Sequence, residues 1–475
     1  MSSLIVSMSK QTPRRFSVSS LPIDLEAPTT AHSKNNSSAF LQEVEEYLKR
    51  YPNTQHIDVC LHDLNGHIRG KRIDINSLRQ LDKGCYFPLS VYAMNLDGKV
   101  NEETGLGKYI GEPDRLCRPI LGSLKPAAIQ PELNAQVYVS MQDDTLIDCP
   151  YEPRNVLKKI VNQLHAEQYY PVMSAELEFY LFDITARPHD ALLSNQSFDM
   201  DMPERDLQVL QEIERIAKLQ SIPITGLVAE SAMSQYEINI LHRPDILTLC
   251  DQIMSLKRIV KQVAKQFHMQ ACFLAKPDLH QAGSGMHFHL SVCDSNLQNR
   301  FRTSSPDQPS NALQQAISGL VDLMPASMAI LAPNINSYRR FQPGQHVPME
   351  ANWNINNRNV AIRIPCADAE NQRLEYRVAG ADCNPYLTVA VILTGILHGI
   401  EHSLEMPKPS HQIKQLHEHI FLPQQQLDAL DRFKNNTTLQ HYLGREFCEL
   451  WHTLKYAEHQ HVYQQITSAE KAWDL

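Results

Sequence analysis

Residues 171–183 read PVMSAELEFYLFD and carry two glutamates within a largely apolar run. The run predicts a β-strand, in which alternate side chains share a face. Glu176 and Glu178 therefore point to the same side, where two like charges repel unless water, a cation or a metal lies between them. Taken alone, the stretch is better explained as a solvated strand face than as a site.

Other predicted strands repeat this pattern of charged residues on one face. They carry Glu237 in SQYEINI (234–240), with Glu230 upstream; His287, His289 and Ser291 in GSGMHFHLSV (283–292); and Arg373, Glu375 and Arg377 in RLEYRV (373–378). A lone HxH pair is weak evidence, because packed core histidines are common. The strands taken together are more specific, because each one adds chemistry of the same kind.

The combined set predicts a divalent metal site that handles phosphate. Five carboxylates with a histidine are ligands typical of hard cations, whereas zinc would take more His or Cys. Arginines gather in the same region and suit phosphate oxygens and carboxylates: Arg339, Arg340, Arg358, Arg363, Arg373 and Arg377. The sequence has no P-loop and no kinase motifs, so metal and arginine would hold the phosphates. A purely structural salt-bridge lattice is the less favoured alternative.

Composition limits the class of protein. The chain has 475 residues and a formal net charge of -9, which argues for two domains and against a nucleic-acid surface. The ten cysteines form no CxxC pair, and they predict reduced thiols in a cytoplasmic protein. No apolar run is long enough for a membrane span.

The sequence predicts three regions. Residues 1–36 read as a flexible N-terminal extension, rich in Ser, Thr and Pro. Residues 37–145 predict a small mixed domain with a helix at 40–51 and a hairpin around Asn65-Gly66. Residues 146–475 alternate strands and helices. The further strands are predicted at 270–277, 285–292, 358–364 and 373–379, and the helices at 153–168, 203–220, 245–267, 310–330, 385–404 and most of 424–470.

Six stretches resemble the glutamine synthetase family. They are AELEFYLFD (175–183), AESAMSQYEIN (229–239), KPDLHQAGSGMHFHLS (276–291), NINSYRRFQPG (334–344), NRNVAIRIP (357–365) and RLEYRVAGADCNPYL (373–387). The resemblance implies an α+β fold, with an N-terminal β-grasp domain and a catalytic domain built on a curved antiparallel sheet flanked by helices. It also implies a double-ring homo-oligomer in which a neighbour's N-terminal domain completes each site.

The resemblance assigns a role to each matching residue. It implies one Mg²⁺ or Mn²⁺ ion at Glu178, Glu230 and Glu237, and a second at Glu176, His287 and Glu375. It implies ATP contacts for His289, Ser291, Arg363 and Arg373, glutamate contacts for Gly283, Arg340 and Arg377, and a place near the transferred phosphate for Arg358.

Departures from the family pattern concern the second substrate. Ammonia-using members carry an acid where this sequence has His346, and another where it reads FPLSVYAM (87–94). VAGADCNPYL (378–387) instead resembles the γ-glutamylpolyamine (putrescine) synthetase branch. We therefore expect an ATP-dependent ligase that joins glutamate to a primary amine or polyamine. His346 either helps deprotonate that amine or only lines the entrance. Ordinary glutamine synthesis and a non-catalytic assembly protein of this fold remain as alternatives.

Overall fold

The computed structural model describes residues 32–184, 196–303, 308–344 and 347–473. Two β-sheets organise these residues, one in the N-terminal third and one in the rest of the chain, and helices pack against both. The α+β class predicted from the sequence is confirmed, and the larger sheet curls into a half-barrel.

The elements are numbered in chain order. The N-terminal third contains α1 (His32–Arg50), β1 (His56–His62), β2 (Ile68–Asp74), β3 (Cys85–Pro88), β4 (Asp114–Pro119), β5 (Lys125–Pro126) and β6 (Asn134–Met141). The later strands are β7 (Tyr170–Asp183), β8 (Ile224–Ala229), β9 (Gln235–Arg243), β10 (Met269–Cys272), β11 (Met286–Cys293), β12 (Trp353–Ile355), β13 (Ile362–Ile364) and β14 (Leu374–Tyr376). The later helices are α2 (Pro153–Ala166), α3 (Glu204–Leu219), α4 (Ile246–Gln266), α5 (Asn311–Leu331), α6 (Pro385–Glu401), α7 (Gln426–Asn435), α8 (Thr437–Leu443), α9 (Arg445–Tyr463) and α10 (Ser468–Lys471).

The N-terminal sheet has the order β2-β1-β6-β4-β3, with β5 paired to β6. β1 runs parallel to β6 and antiparallel to β2, which confirms the predicted hairpin. Gly66 has φ 74° in the turn, a conformation that glycine adopts without strain. The β-grasp description of this domain stays a prediction.

The larger sheet has the order β12-β13-β14-β11-β7-β9-β8, with β10 paired to β7. β7 is the longest strand of this sheet and lies near its middle. Its odd-numbered residues Ala175, Leu177, Phe179 and Leu181 are almost fully buried, which places the even-numbered acids on the opposite face. The sheet therefore packs one face on the core and presents its acids on the other.

Several boundaries differ from the predictions. α1 begins at His32, so the boundary predicted after residue 36 falls inside a helix. β13 begins only at Ile362, because Arg358 and Asn359 form a turn before it. The long C-terminal helical region is divided where Asn436 caps α8 and where Gly444 has φ 104°. Within the described residues, no helix has the length and apolar character needed to cross a bilayer.

Candidate functional site

Strand register brings the acids and histidines of the larger sheet side by side. The four strands involved are neighbours in the order β14-β11-β7-β9. The cross-strand partners are Glu178 with Glu237, Glu176 with His287, and His289 with Glu375. Directly opposed side chains on one face lie only about 4.5–5.5 Å apart at Cβ. The charges that the sequence placed on separate strands therefore meet in one patch.

Glu178, Glu230 and Glu237 form what we call the carboxylate corner, in which one oxygen from each residue lies within 4.8 Å of the others. Glu178 and Glu237 are each only 8% exposed. Burial, together with the negative charges of the neighbouring glutamates, raises the pKa of Glu237 to about 9. The pKa of Glu230 is raised by burial and by Glu178. Three crowded carboxylates of this kind call for a cation.

Backbone and amide donors orient two of these carboxylates. The Gly285 amide donates to Glu178 Oε2 at 2.6 Å, and Asn239 Nδ2 donates to Glu237 Oε1 at 2.9 Å. Sequence reasoning missed Asn239, although its spacing of two from Glu237 in QYEIN places both on one face. These hydrogen bonds fix the direction in which the carboxylates point.

Glu176, His287 and His289 form the imidazole bridge beside that corner. His289 Nε2 lies 2.7 Å from Glu176 Oε1, and His287 Nδ1 lies 3.4 Å from Glu176 Oε2. Burial alone would raise the pKa of Glu176, but hydrogen bonds from the two histidines outweigh it and lower the pKa. His287 also lies 3.7 Å from Glu178 Oε1, so the bridge is continuous with the carboxylate corner.

Glu375, Arg363 and Arg377 form the arginine corner at the other end of the patch. Arg363 Nη1 donates to Glu375 Oε2 at 2.8 Å, and Arg377 donates to Oε1 of the same carboxylate. Burial would raise the pKa of Glu375, but the charges of Arg377, His287 and His289 and the Arg363 hydrogen bond lower it. This carboxylate is neutralised by the protein itself.

Arg340 approaches the patch from the turn after α5. Its side chain is 4% exposed, and Nη1 donates to the carbonyls of Val378 and Ala379 at 2.8 and 3.2 Å. Burial lowers its pKa, although Glu178 and other nearby acids oppose the shift. Within the described residues its guanidinium forms no ion pair with a carboxylate. An anionic ligand could therefore serve as its charged partner.

Gly285 allows these groups to converge. A Cβ on Gly285 would lie 2.6 Å from His287 Nε2 and 2.7 Å from Arg340 Nη2, both too close for a side chain. A Cβ on Gly283 would lie 2.8 Å from Arg340 Cγ. The glycines of GSGMH thus bring the backbone against both the histidine and the arginine.

The other predicted site residues lie at the margins. Arg358 is exposed in the turn before β13, and Arg373 is partly exposed just before β14. Neither side chain forms an ion pair or hydrogen bond with a described residue. Ser291 follows His289 by two positions on β11, on the same face. His346 lies outside the described residues.

The geometry and the resemblance differ in how the histidines are grouped. The resemblance implies Glu176, His287 and Glu375 as one metal set. The structure groups Glu375 with Glu176 and His289, whereas His287 joins Glu176 and Glu237. The cause is the register, because His289 is the direct cross-strand partner of Glu375.

The donor set fits a hard divalent cation. The three groups share five carboxylates and two imidazoles, with mutual spacing that allows joint coordination. Oxygen-rich sets of this kind favour magnesium, manganese or calcium over zinc. The buried like charges of the carboxylate corner are the feature of this chain that a metal ion would relieve.

Comparison with known proteins identifies the family to which the chain is similar. Residues 150–473 match the family model described as glutamine synthetase, catalytic domain. The chain is 44% identical over 465 residues to gamma-glutamylputrescine synthetase PuuA of Escherichia coli (strain K12), covering 95% of this chain and 98% of that protein. It is 27% identical over 438 residues to type-1 glutamine synthetase 2 of Dictyostelium discoideum, covering 87% and 81%.

Solved structures share the fold. A structure of GmaS without ligand superposes with a TM-score of 0.78 at 24% identity, covering 90% of this chain and 98% of that one. A GmaS/ADP complex superposes with a TM-score of 0.77, with the same identity and coverage.

Proposed function

The chain belongs to the glutamine synthetase family, and on that premise we propose that it is an ATP-dependent ligase that joins the γ-carboxylate of glutamate to a primary amine. Putrescine or a longer polyamine is the proposed amine. The similarity to the Escherichia coli enzyme supports this choice, because it extends over nearly the whole of both chains.

The observation that carries the proposal is the convergence at Gly285. Its amide donates to Glu178, and its missing side chain admits both His287 and Arg340. A cation-binding carboxylate, an imidazole and an arginine with no carboxylate partner among the described residues thus surround one point of backbone. That arrangement suits a reaction in which a carboxylate substrate meets a metal-bound phosphate.

We propose that the carboxylate corner, together with Glu176, His287 and Glu375, holds Mg²⁺ or Mn²⁺. Bound divalent ions would supply charge neutralisation for the triphosphate. The chain's own residues have separate tasks: Arg340 orients the carboxylate of glutamate, and Arg363 and Arg377 offer donors to anionic groups beside Glu375. His289, Ser291 and Arg373 remain the proposed ATP contacts, and Arg358 would need to move inward to approach the transferred phosphate.

The reaction we propose has two steps. A γ-carboxylate oxygen attacks the γ-phosphorus of ATP, releasing ADP and leaving γ-glutamyl phosphate. The neutral amine then attacks the acyl carbon, phosphate leaves, and the amine nitrogen loses a proton. An alkylamine is protonated at pH 7, so the rate should rise from about pH 7 toward 9.

The amine preference rests on side chains that lack negative charge. Ser90, in the stretch where the family's ammonia users carry an acid, is 2% exposed in a short helix whose five residues are all buried. Ammonium offers no apolar surface, whereas each methylene of a diamine can contribute roughly 0.8 kcal/mol on burial. We also propose that the active form is a homo-oligomer. The cytoplasmic location stays a prediction.

The test is ADP release with glutamate and a panel of ammonia, methylamine, putrescine and spermidine, with mass analysis of the products. Putrescine or a polyamine should exceed ammonia in kcat/KM. Ammonia ahead of every alkylamine at pH 8 would instead establish glutamine synthesis. No glutamate-dependent ADP release with any amine would favour a non-catalytic protein.

A further inference from the structure

A buried turn carries Arg340, and one carboxylate holds that turn in place. Asp382 Oδ2 accepts a hydrogen bond from Ser337 Oγ at 2.6 Å and another from Asn334 Nδ2 at 2.8 Å. Ser337 is 1% exposed and opens the short 3-10 helix Ser337–Arg340. Because Arg340 follows Ser337 by one helical turn, fixing Ser337 fixes the origin of the Arg340 side chain.

The other side of the turn is also fixed, by the backbone of Lys276, which precedes the GSG stretch (283–285). Lys276 N donates to Asn336 Oδ1 at 3.0 Å, and Asn336 Nδ2 donates to the Lys276 carbonyl at 2.8 Å. Asn334 Oδ1 accepts from the amides of Asn336 and Ser337. The turn therefore has two supports, and among the described residues that bond to it only Asp382 does so through a charged side chain.

The segment that carries Asp382 also receives the far end of Arg340. Arg340 Nη1 donates to the carbonyls of Val378 and Ala379, a few residues before Asp382. Ala381 N donates to the Ser284 carbonyl at 3.0 Å, which ties the segment to the GSG loop. A Cβ on Gly380 would lie 2.4 Å from Asp382 Oδ1, so a larger residue there would push against this carboxylate. The segment 378–382 therefore fixes both the backbone turn from which Arg340 extends and the guanidinium of Arg340.

We infer that Asp382 is a positioning residue that sets Arg340 for the substrate carboxylate. The inference rests on the proposed function, in which Arg340 binds glutamate. It adds a residue that the family resemblance did not assign, and it identifies Asn334 and Ser337 as the groups through which Asp382 acts.

A purely electrostatic role makes the opposite prediction. Asp382 is a negative charge near Arg340, so its removal would favour an anionic ligand if charge were its only contribution. Under the positioning account, loss of the Ser337 hydroxyl weakens glutamate binding although every charge remains. Ser337→Ala and Asp382→Asn therefore separate the two roles.

The kinetic experiment compares Ser337→Ala, Ser337→Thr, Asp382→Asn and Asp382→Ala with the wild type. The matched control is Ser327→Ala, which removes a buried hydroxyl bonded to the Leu323 carbonyl at 2.9 Å on α5. Ser337→Ala should raise the KM for glutamate about tenfold, as expected for one hydrogen bond to a charged acceptor, with the KM for ATP nearly unchanged. Ser337→Thr should restore most of it, Asp382→Ala should exceed Ser337→Ala, and Ser327→Ala should behave as the wild type.

Hydrogen exchange of the 334–341 segment provides a readout independent of turnover. It should quicken in Ser337→Ala and Asp382→Ala but not in Ser327→Ala. Unchanged exchange, an unchanged KM for glutamate in Ser337→Ala, or a lower KM in Asp382→Asn would each overturn the inference. A wild type without glutamate-dependent ADP release would refute the proposed function instead, and the exchange result would still judge whether Asp382 holds the turn.

Discussion

The carboxylate corner and the arginine corner use the same residue type under opposite electrical conditions. Glu237 is surrounded by other acids, and its pKa is raised to about 9. Glu375 is hydrogen-bonded by Arg363 and Arg377, and its pKa is lowered. Both residues are buried on strands of the same sheet, so burial alone does not explain the difference.

The difference lies in which charges the chain supplies. Within the described residues, no Lys or Arg comes within ion-pair distance of Glu178, Glu230 or Glu237. The carboxylate corner therefore needs an external cation, whereas the arginine corner already has its cations and can offer them to phosphate. We conclude that metal dependence should be concentrated at the carboxylate corner.

The largest effect is expected from Glu237→Ala. Loss of this ligand should lower turnover by roughly a thousandfold or more, since several kcal/mol of charge stabilisation are at stake. The metal-free variant should fold at least as stably as the wild type, because an acid that is costly to ionise among the other glutamates is removed. ADP release measures turnover, and thermal melting with and without Mg²⁺ measures stability. Near-normal turnover in a folded variant would refute the role of this corner.

A smaller effect is expected from the arginines. Arg340→Ala should raise the glutamate requirement by about ten- to a hundredfold, since a charge-assisted pair is lost. Arg373→Ala should act mainly on ATP. Isothermal titration of each variant with both ligands separates the roles. If Arg340→Ala instead weakens ATP and spares glutamate, the two assignments must be exchanged.

The smallest effect is expected in the pH dependence of stability, and it tests the difference between the carboxylate corner and the arginine corner. The raised pKa of Glu237 means that the folded, metal-free protein retains a proton that the unfolded chain loses near its ordinary value. The stability linked to this proton is present at low pH and is lost as pH rises toward about 9. The melting temperature measured in EDTA should therefore fall as the pH rises from 6 to 9.

Metal affinity should rise with pH, because Glu237 must lose its proton before its carboxylate can coordinate the cation. Mg²⁺ affinity should rise by up to about tenfold per pH unit below 9. Titration in buffers of different ionisation enthalpy measures the released proton, and Glu237→Gln is the control that should flatten the slope. A pH-independent affinity in the wild type would show that the corner is already ionised.

Much of this site was predictable from local pattern. Glu176 and Glu178 share a face because they alternate in one strand, and the same rule places His287 with His289. The hairpin around Asn65-Gly66 follows from turn chemistry. These predictions needed only the geometry of a single strand.

The rest depended on contacts between distant segments. Whether His287 or His289 joins Glu375 is set by the register between β11 and β14, which no local pattern specifies. Asp382 and Ser337 are separated by 45 residues along the chain, so their hydrogen bond could not be anticipated. The start of α1 was missed because its first turns are rich in Ser and Asn, which favour helices weakly.

We propose above all that the site activates the γ-carboxylate of glutamate as an acyl phosphate. It is tested most directly with glutamate labelled by ¹⁸O in that carboxylate, incubated with ATP, Mg²⁺ and putrescine. The phosphate released should carry one ¹⁸O atom, transferred from the carboxylate when the amine displaces it. Unlabelled phosphate, formed together with ADP, would contradict it.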